Sequence, residues 1–232
     1  MTLTALLFLP SSHGQPHPPW HSLVQAALGC GVDRVLCHEA LQIDDPALGR
    51  EQSRWPWILE FGCTQAAAWQ RLEADGALTL GLAAGTRAAA RLQLMQDRTP
   101  GGRPDGFEQS GLRHGPIRYM AAYEGDPADA DAERAWQAEY LSGHVPLMRG
   151  LPRVRGVQVF TRIEFEAPAG LAAERWMLRN VASFDTVEDL SAALASTQRR
   201  RLYEHRMAKL PPLGQSTHAA YRSHVIAQAP TL

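Results

Sequence analysis

The sequence predicts an α+β fold made of one β-α-β-β-α-β unit used twice, with the two units packed sheet to sheet. Three observations predict it. Apolar strands, amphipathic helices and glycine turns follow the same order in both halves. A glycine- and proline-rich stretch without apolar periodicity separates the halves. One strand of the second half has neither face wholly polar, so its sheet is expected to need a cover on either side. The chain has 232 residues, 45% hydrophobic and 20% charged, enough for a sizeable core.

The elements pair off in order. "LTALLFLP" (3–10) is matched by "IRYMAAYEG" (117–125), both short apolar strands. "HSLVQAALGCGVDRVLCHEAL" (21–41) aligns with "YLSGHVPLMRGLPRVRGVQVFTRI" (140–163), each a helix passing through a glycine turn into a strand. "WILEFGCTQAAAWQRL" (57–72) matches "LRNVASFDTVEDLSAAL" (178–194) as strand, cap and helix. "ALTLGLAAGTRAAARLQLMQ" (77–96) resembles "AKLPPLGQSTHAAYRSHVIA" (208–227), an irregular crossing that ends in a strand. The offset grows from roughly 114 to roughly 130 residues, as loop insertions would make it. Residues 1–96 are thus expected to form the first repeat, 97–115 a linker and 116–232 the second repeat.

The unit order is that of a ferredoxin-like fold, a four-stranded antiparallel sheet with both helices on one face. In strand 157–165, Val157, Val159, Thr161, Ile163 and Phe165 share one face, and Gln158, Phe160, Arg162 and Glu164 the other. Neither face is wholly polar, so both are expected to be covered. Two units closing on each other into a pseudo-dimeric α+β barrel would provide the cover. The connections 42–55 and 166–174 differ between units and belong outside this core.

Composition narrows the function. Lys and Arg total 23 against 24 Asp and Glu, a formal charge of −1, so nothing draws the chain to nucleic acid or an anionic membrane. The run Arg199–Arg201, next to Glu204, reads as a solvated helix face. Cys30, Cys37 and Cys63 are odd in number and form no CxxC pair, which argues for buried thiols rather than disulfides or a zinc site. "MTLTALLFLP" lacks the basic start and cleavage site of a leader. No stretch reaches the ~18 apolar residues of a membrane span. The expected compartment is the cytoplasm.

One stretch, "SGHVPLMRGLPRVRG" (142–156), raises a chemical question. It follows "DPADADAERAWQAEYL", whose start at Asp126 and Pro127 and early acids mark a helix N-terminus. Trp136, Tyr140, His144, Leu147, Met148 and Leu151 recur every three or four residues. At about 100° per residue they make a stripe roughly 120° wide, so His144 points at the sheet. Pro146 would leave the Ser142 carbonyl unpaired, and Gly143 eases a break there. The helix is expected to end or kink at Ser142–Val145, restart at Pro146 and leave a small cavity beside an inward imidazole.

"HVPL" (144–147) followed by "GLPRVRG" (150–156) resembles the helix and turn of EthD-like proteins, in which a His-x-Pro-Leu element precedes a Leu-Pro-Gly-like turn. Here Arg153 stands where that family usually has glycine. The resemblance covers the second repeat; the first has Ala26, Ala27 and Leu28 near the corresponding place. It implies the dimeric α+β barrel class. That class includes cofactor-free monooxygenases, muconolactone-type isomerases, and dehydratases or decarboxylases acting on small aromatic or lactone compounds. It also includes members that only bind, and many EthD-like proteins have no assigned activity.

On that reading His144 is the candidate acid/base, since imidazole titrates near physiological pH. Trp136, Tyr140, Met148, Phe160 and Arg162 are the candidate substrate-binding residues. The expected ligand is a small aromatic or lactone compound, with no cofactor and no metal. The expected assembly is an intramolecular pseudo-dimer, with further association into a homodimer left open. The alternative is a non-catalytic binding or scaffold protein of the same fold.

Other candidates are weaker. Cys37 and His38 alternate to opposite faces of a strand and cannot form a nucleophile pair. Arg162 and Arg179, on neighbouring strands, suit an oxyanion but read first as surface or edge residues. His205, beside Glu204 and Arg206, reads as solvated, and His218 and His224 have no metal spacing. His13, His17 and His21 recur every four residues, but Gly14, Pro16, Pro18 and Pro19 make that segment a loop. There is no GxGxxG after a strand, no Walker loop, no HExxH and no GxSxG.

Overall fold

The computed structural model describes residues 2–10, 20–43, 55–100, 117–126 and 128–229. Most of the expected linker, most of the 42–55 connection, His13 and His17 lie outside the described residues. The first half contains β1 (Leu3–Leu9), α1 (His21–Gly29), β2 (Arg34–Ala40), β3 (Trp57–Cys63), α2 (Ala66–Ala74), α3 (Ala84–Ala89) and β4 (Arg91–Asp97). The second begins with β5 (Ile117–Tyr123) and α4 (Ala130–Glu139), followed by a π-helical turn, Tyr140–His144, and α5 (Val145–Arg149). It continues through β6 (Gly156–Arg162), the short β7 (Ala172–Ala173), β8 (Leu178–Phe184), α6 (Val187–Leu194), α7 (Thr197–Lys209) and β9 (Ser216–Gln228).

Each half orders its strands alike, β4-β1-β3-β2 and β9-β5-β8-β6, all antiparallel. The halves join through their edges. β2 pairs with β9, with Cys37 opposite His224, and β4 pairs with β6, with Gln96 opposite Thr161. Eight strands therefore close into a barrel, which removes the open edges that a single unit would leave. A bulge between Val35 and Leu36 takes up the misfit at one seam.

Strand alternation divides the core in three. Leu3, Ala5, Leu7 and Leu9 of β1 face the first-half helices, where they meet Leu23, Trp69 and Leu72. Tyr119, Val159, Leu178 and Phe184 face the second-half helices with Trp136, Tyr140 and Leu202. Leu6, Phe8, Ile58, Met120, Phe160, Val181 and Tyr221 fill the barrel. As expected, β6 is covered on both faces, with Val157, Val159, Gln158 and Phe160 all buried.

The barrel interior also holds charge. Glu60, on β3, accepts from Arg118 Nη1 at 3.1 Å and lies 3.6 Å from Arg34 Nη2. His38 Nε2 lies 3.2 Å from the same carboxylate, and its Nδ1 lies 2.7 Å from Ser223 Oγ. Burial outweighs Glu60 and lowers the His38 pKa to about 4, so the ring is neutral at pH 7. Nε2–H then donates to Glu60 and Nδ1 accepts from Ser223. Arg179 is no surface or edge residue: it is buried, donates from Nε to Gln93 Oε1 at 2.6 Å and lies 4.5 Å over the Phe8 ring. The three cysteines are buried thiols, and Cys37 faces the helices, opposite to His38.

Helices α4, α6 and α7 of the second half have side-chain caps. Asp129 accepts from the Ala132 amide, Thr186 from Asp189 and Ser196 from Arg199. The first of these corrects the expected start: α4 begins at Ala130, while Asp126 holds a separate turn by accepting from the Ala128 amide. Arg153 has φ 58°, the sole positive φ of a non-glycine among the described residues. The turn keeps its left-handed geometry without glycine, and Arg153 Nη1 reaches Asp189 Oδ1 at 2.7 Å.

Candidate functional site

The helix of the second half does not stop at His144. It widens. The Val145 amide bonds to the Tyr140 carbonyl, five residues back, and Pro146 falls in the first turn of α5, where no amide donor is needed. The expected end or kink is therefore a π turn, with α5 beginning at Val145. Ser142 Oγ donates to the Ala138 carbonyl at 2.9 Å.

Three aromatic rings point inward in series, Trp136 from α4 and Tyr140 and His144 from the widened turn. Trp136 stacks on Tyr140 at 5.1 Å between centroids, and Tyr140 lies 4.7 Å from His144. Tyr140 is fully buried; its hydroxyl accepts from Asn180 Nδ2 at 2.5 Å and donates to Met148 Sδ at 3.4 Å. Burial, followed by Tyr123, holds its pKa well above the ordinary phenol value.

His144 is 6% exposed. Burial, then His205, Arg199 and Arg206, lower its pKa to about 3, so the imidazole is neutral at pH 7. Its Nδ1 lies 3.4 Å from His205 Nδ1, and His205 Nε2 lies 3.3 Å from Glu139 Oε1. The tautomers follow from the carboxylate, which only accepts. Glu139 takes the Nε2–H of His205, whose Nδ1 lone pair then takes the Nδ1–H of His144. The Nε2 lone pair of His144 is left over, and it has no hydrogen-bond partner among the described residues. Gly143 permits this chain of groups: a Cβ there would sit 2.7 Å from both Glu139 Oε1 and His205 Nε2.

A cavity of about 50 Å³ lies beside His144, lined by Tyr140, Met148, Asn180, Arg199, Arg206 and His218 among others. Burial, then Arg199 and Arg206, lower the His218 pKa to about 4, and its ring stacks on Tyr119. Arg206 lies 5.2 Å over the Tyr123 ring and donates to Ser216 Oγ at 3.0 Å. Among the described residues no group of three or more His, Cys, Asp or Glu is placed to hold a metal ion.

His144, Tyr140 and Met148 thus come together as the sequence predicts, with Trp136 one ring behind. Two candidates do not join them. Phe160 faces the barrel interior, because the strand alternation that turns Val159 to the helices turns it away. Arg162 ends β6 in ion pairs with Glu133 at 3.0 Å and Glu164 at 2.7 Å, tying strand to helix. Two residues that sequence reasoning assigned to solvent belong to the site, His205, half-buried against His144, and Arg199, which lines the cavity with Arg206, a residue that sequence reasoning did not single out. Arg199, Leu202, Tyr203 and Arg206 recur at helical spacing on α7, a stripe that could have revealed the inward face.

No family model and no curated protein matches the chain. Solved structures do. An anthrone oxidase-like protein is similar over 98% of this chain and 94% of its own, with TM-score 0.57 and 10% identity. A candidate monooxygenase from Fusobacterium nucleatum is similar over 98% of this chain and 95% of its own, with TM-score 0.54 and 7% identity. The chain shares their α+β barrel fold. It is also similar to an EthD family protein from Bacillus halodurans, at 24% identity and TM-score 0.36, over 45% of this chain and 95% of that one. At these identities the likeness establishes fold alone. No helix among the described residues is long and apolar enough to cross a membrane.

Proposed function

We propose that this chain is a proton-transfer enzyme of EthD-like type that acts on a small aromatic or lactone compound, with His144 as acid/base. The observation that carries the reading is the neutral imidazole at the cavity, with its Nε2 lone pair unused and the His205–Glu139 pair behind its other nitrogen. As Nε2 takes a proton from an acidic C–H or O–H, the Nδ1–H passes to His205 Nδ1, so that the positive charge rests on the imidazole beside Glu139 and the buried His144 ring stays neutral. The same nitrogen then returns the proton to a neighbouring atom. This step is common to isomerisation, dehydration and decarboxylation through an enol, and to deprotonation of a phenol before oxygen attack. Tyr140 and Asn180 hold the ring stack in place and take no proton.

A second reading, a non-catalytic binding or scaffold protein of the same fold, is favoured by cavity size: about 50 Å³ is well below the ~300 Å³ common for small-ligand sites. One experiment separates the two. Phenols, quinones, hydroxy-aromatic acids and lactones are screened by thermal unfolding against wild type and His144→Gln. A ligand at about 100 times its Kd adds roughly 2.7 kcal/mol, raising the midpoint by about 5–10 °C at this length. Ligands that bind are then incubated in D2O and followed by proton NMR. Exchange of an acidic ligand proton that requires His144 supports the enzyme. Binding without exchange, or no binding together with a large loss of stability in His144→Gln, refutes the enzyme and supports the second reading.

A further inference from the structure

The cavity beside His144 is not isolated. A larger groove of about 420 Å³ lies along the start of α7, lined by Leu194, Ser196, Arg199, Arg200 and Tyr203 among others. Leu194, Arg199 and Tyr203 line both spaces. The inner space is roomy enough for a reacting group but not for a ring system, whereas the outer one falls within the size range of common small-ligand sites. Together they make a two-part site, with Arg199 and Tyr203 at the junction.

Its charge is one-sided. Arg199, Arg200 and Arg206 line the two spaces, and no Asp or Glu among the described residues does so. Arg206 is occupied by Ser216 and the Tyr123 ring. The Arg199 guanidinium has no hydrogen bond or ion pair with a described residue. It stands between groove and cavity as a donor fork that fits a carboxylate, next to Tyr203, whose ring is 55% exposed.

Building on the proton-transfer reading, we propose that the substrate is an aromatic carboxylate, with its ring in the outer groove against Tyr203, its anionic group on Arg199 and only its reacting atoms inside with His144. This explains how so small an inner cavity serves a ring-sized substrate. It also narrows the compounds considered above to the acids, and disfavours neutral lactones.

The test compares matched pairs that differ in charge alone: salicylate with salicylamide, and cinnamate with cinnamamide. Dissociation constants are measured by titration calorimetry at pH 7 and low salt. The carboxylates are expected to bind about tenfold more tightly, as one charge-assisted contact would provide. Arg199→Gln is expected to erase that preference while amide binding stays within about twofold. Arg175→Gln, which removes an exposed cation outside the site, is expected to keep it. Equal affinities within each pair, or a preference that survives Arg199→Gln, overturns the carboxylate assignment and leaves the proton-transfer reading standing. If no member binds and the wider screen is also empty, both fall.

Discussion

Replacing His144 by glutamine should remove part of the acid sensitivity of this fold. The unfolded imidazole titrates near 6.5 and the folded one near 3. Between those values the unfolded chain binds the extra proton, so stability present above about pH 6.5 is lost as pH falls towards 3. At pH 5 the loss from this one ring is RT ln(1 + 10^1.5), about 2 kcal/mol. Glutamine is neutral at both pH values and escapes it. The assay is urea unfolding of wild type and His144→Gln at pH 8 and pH 5. The drop in unfolding free energy between the two conditions should be smaller by about 2 kcal/mol in the variant. His38 and His218, both held near 4, keep their own losses in each protein and cancel in the comparison. Equal drops would mean that His144 is protonated in the fold at pH 5, which would refute the buried, neutral base on which the proposed chemistry rests.

Three further outcomes follow from the same contacts. Glu60→Gln leaves Arg34 and Arg118 without their shared carboxylate inside the barrel. A loss of about 3–5 kcal/mol in urea unfolding is expected, and a loss under about 1 kcal/mol would show the network to be hydrated. Tyr140→Phe strands the Asn180 amide at full burial, costing about 1–3 kcal/mol; an unchanged thermal midpoint would contradict that hydrogen bond. At the left-handed position 153, Arg153→Gly should be more stable than Arg153→Ala by about 1 kcal/mol, since only alanine brings a Cβ into that conformation. Equal stabilities would place the turn in ordinary backbone geometry.

Much of this architecture was legible in the chain, because strand alternation and helical spacing are local. The period of two in β6 announced a sheet covered on both faces, and the spacing of Trp136, Tyr140, His144 and Met148 announced an inward imidazole. Arg199 and His205 were not legible. With charges on most sides of α7, only the stripe of Arg199, Leu202, Tyr203 and Arg206 hints at an inner face, and the packing of the π turn and α5 against it decides that face. Phe160 was misplaced for a related reason: alternation reveals that a strand has two buried faces, but not which face meets the helices.

By itself, then, the sequence determined the repeated unit, the elements within it and the residues on each face, since these depend on neighbours within a few positions. The tertiary structure decided how the units close, edge to edge through β2 with β9 and β4 with β6, and that Pro146 widens the helix instead of ending it. It also brought His205 across 61 residues of chain to join Glu139 behind His144. Those outcomes depend on groups distant in sequence competing for the same volume and the same hydrogen bonds, and only the packed chain settles that competition.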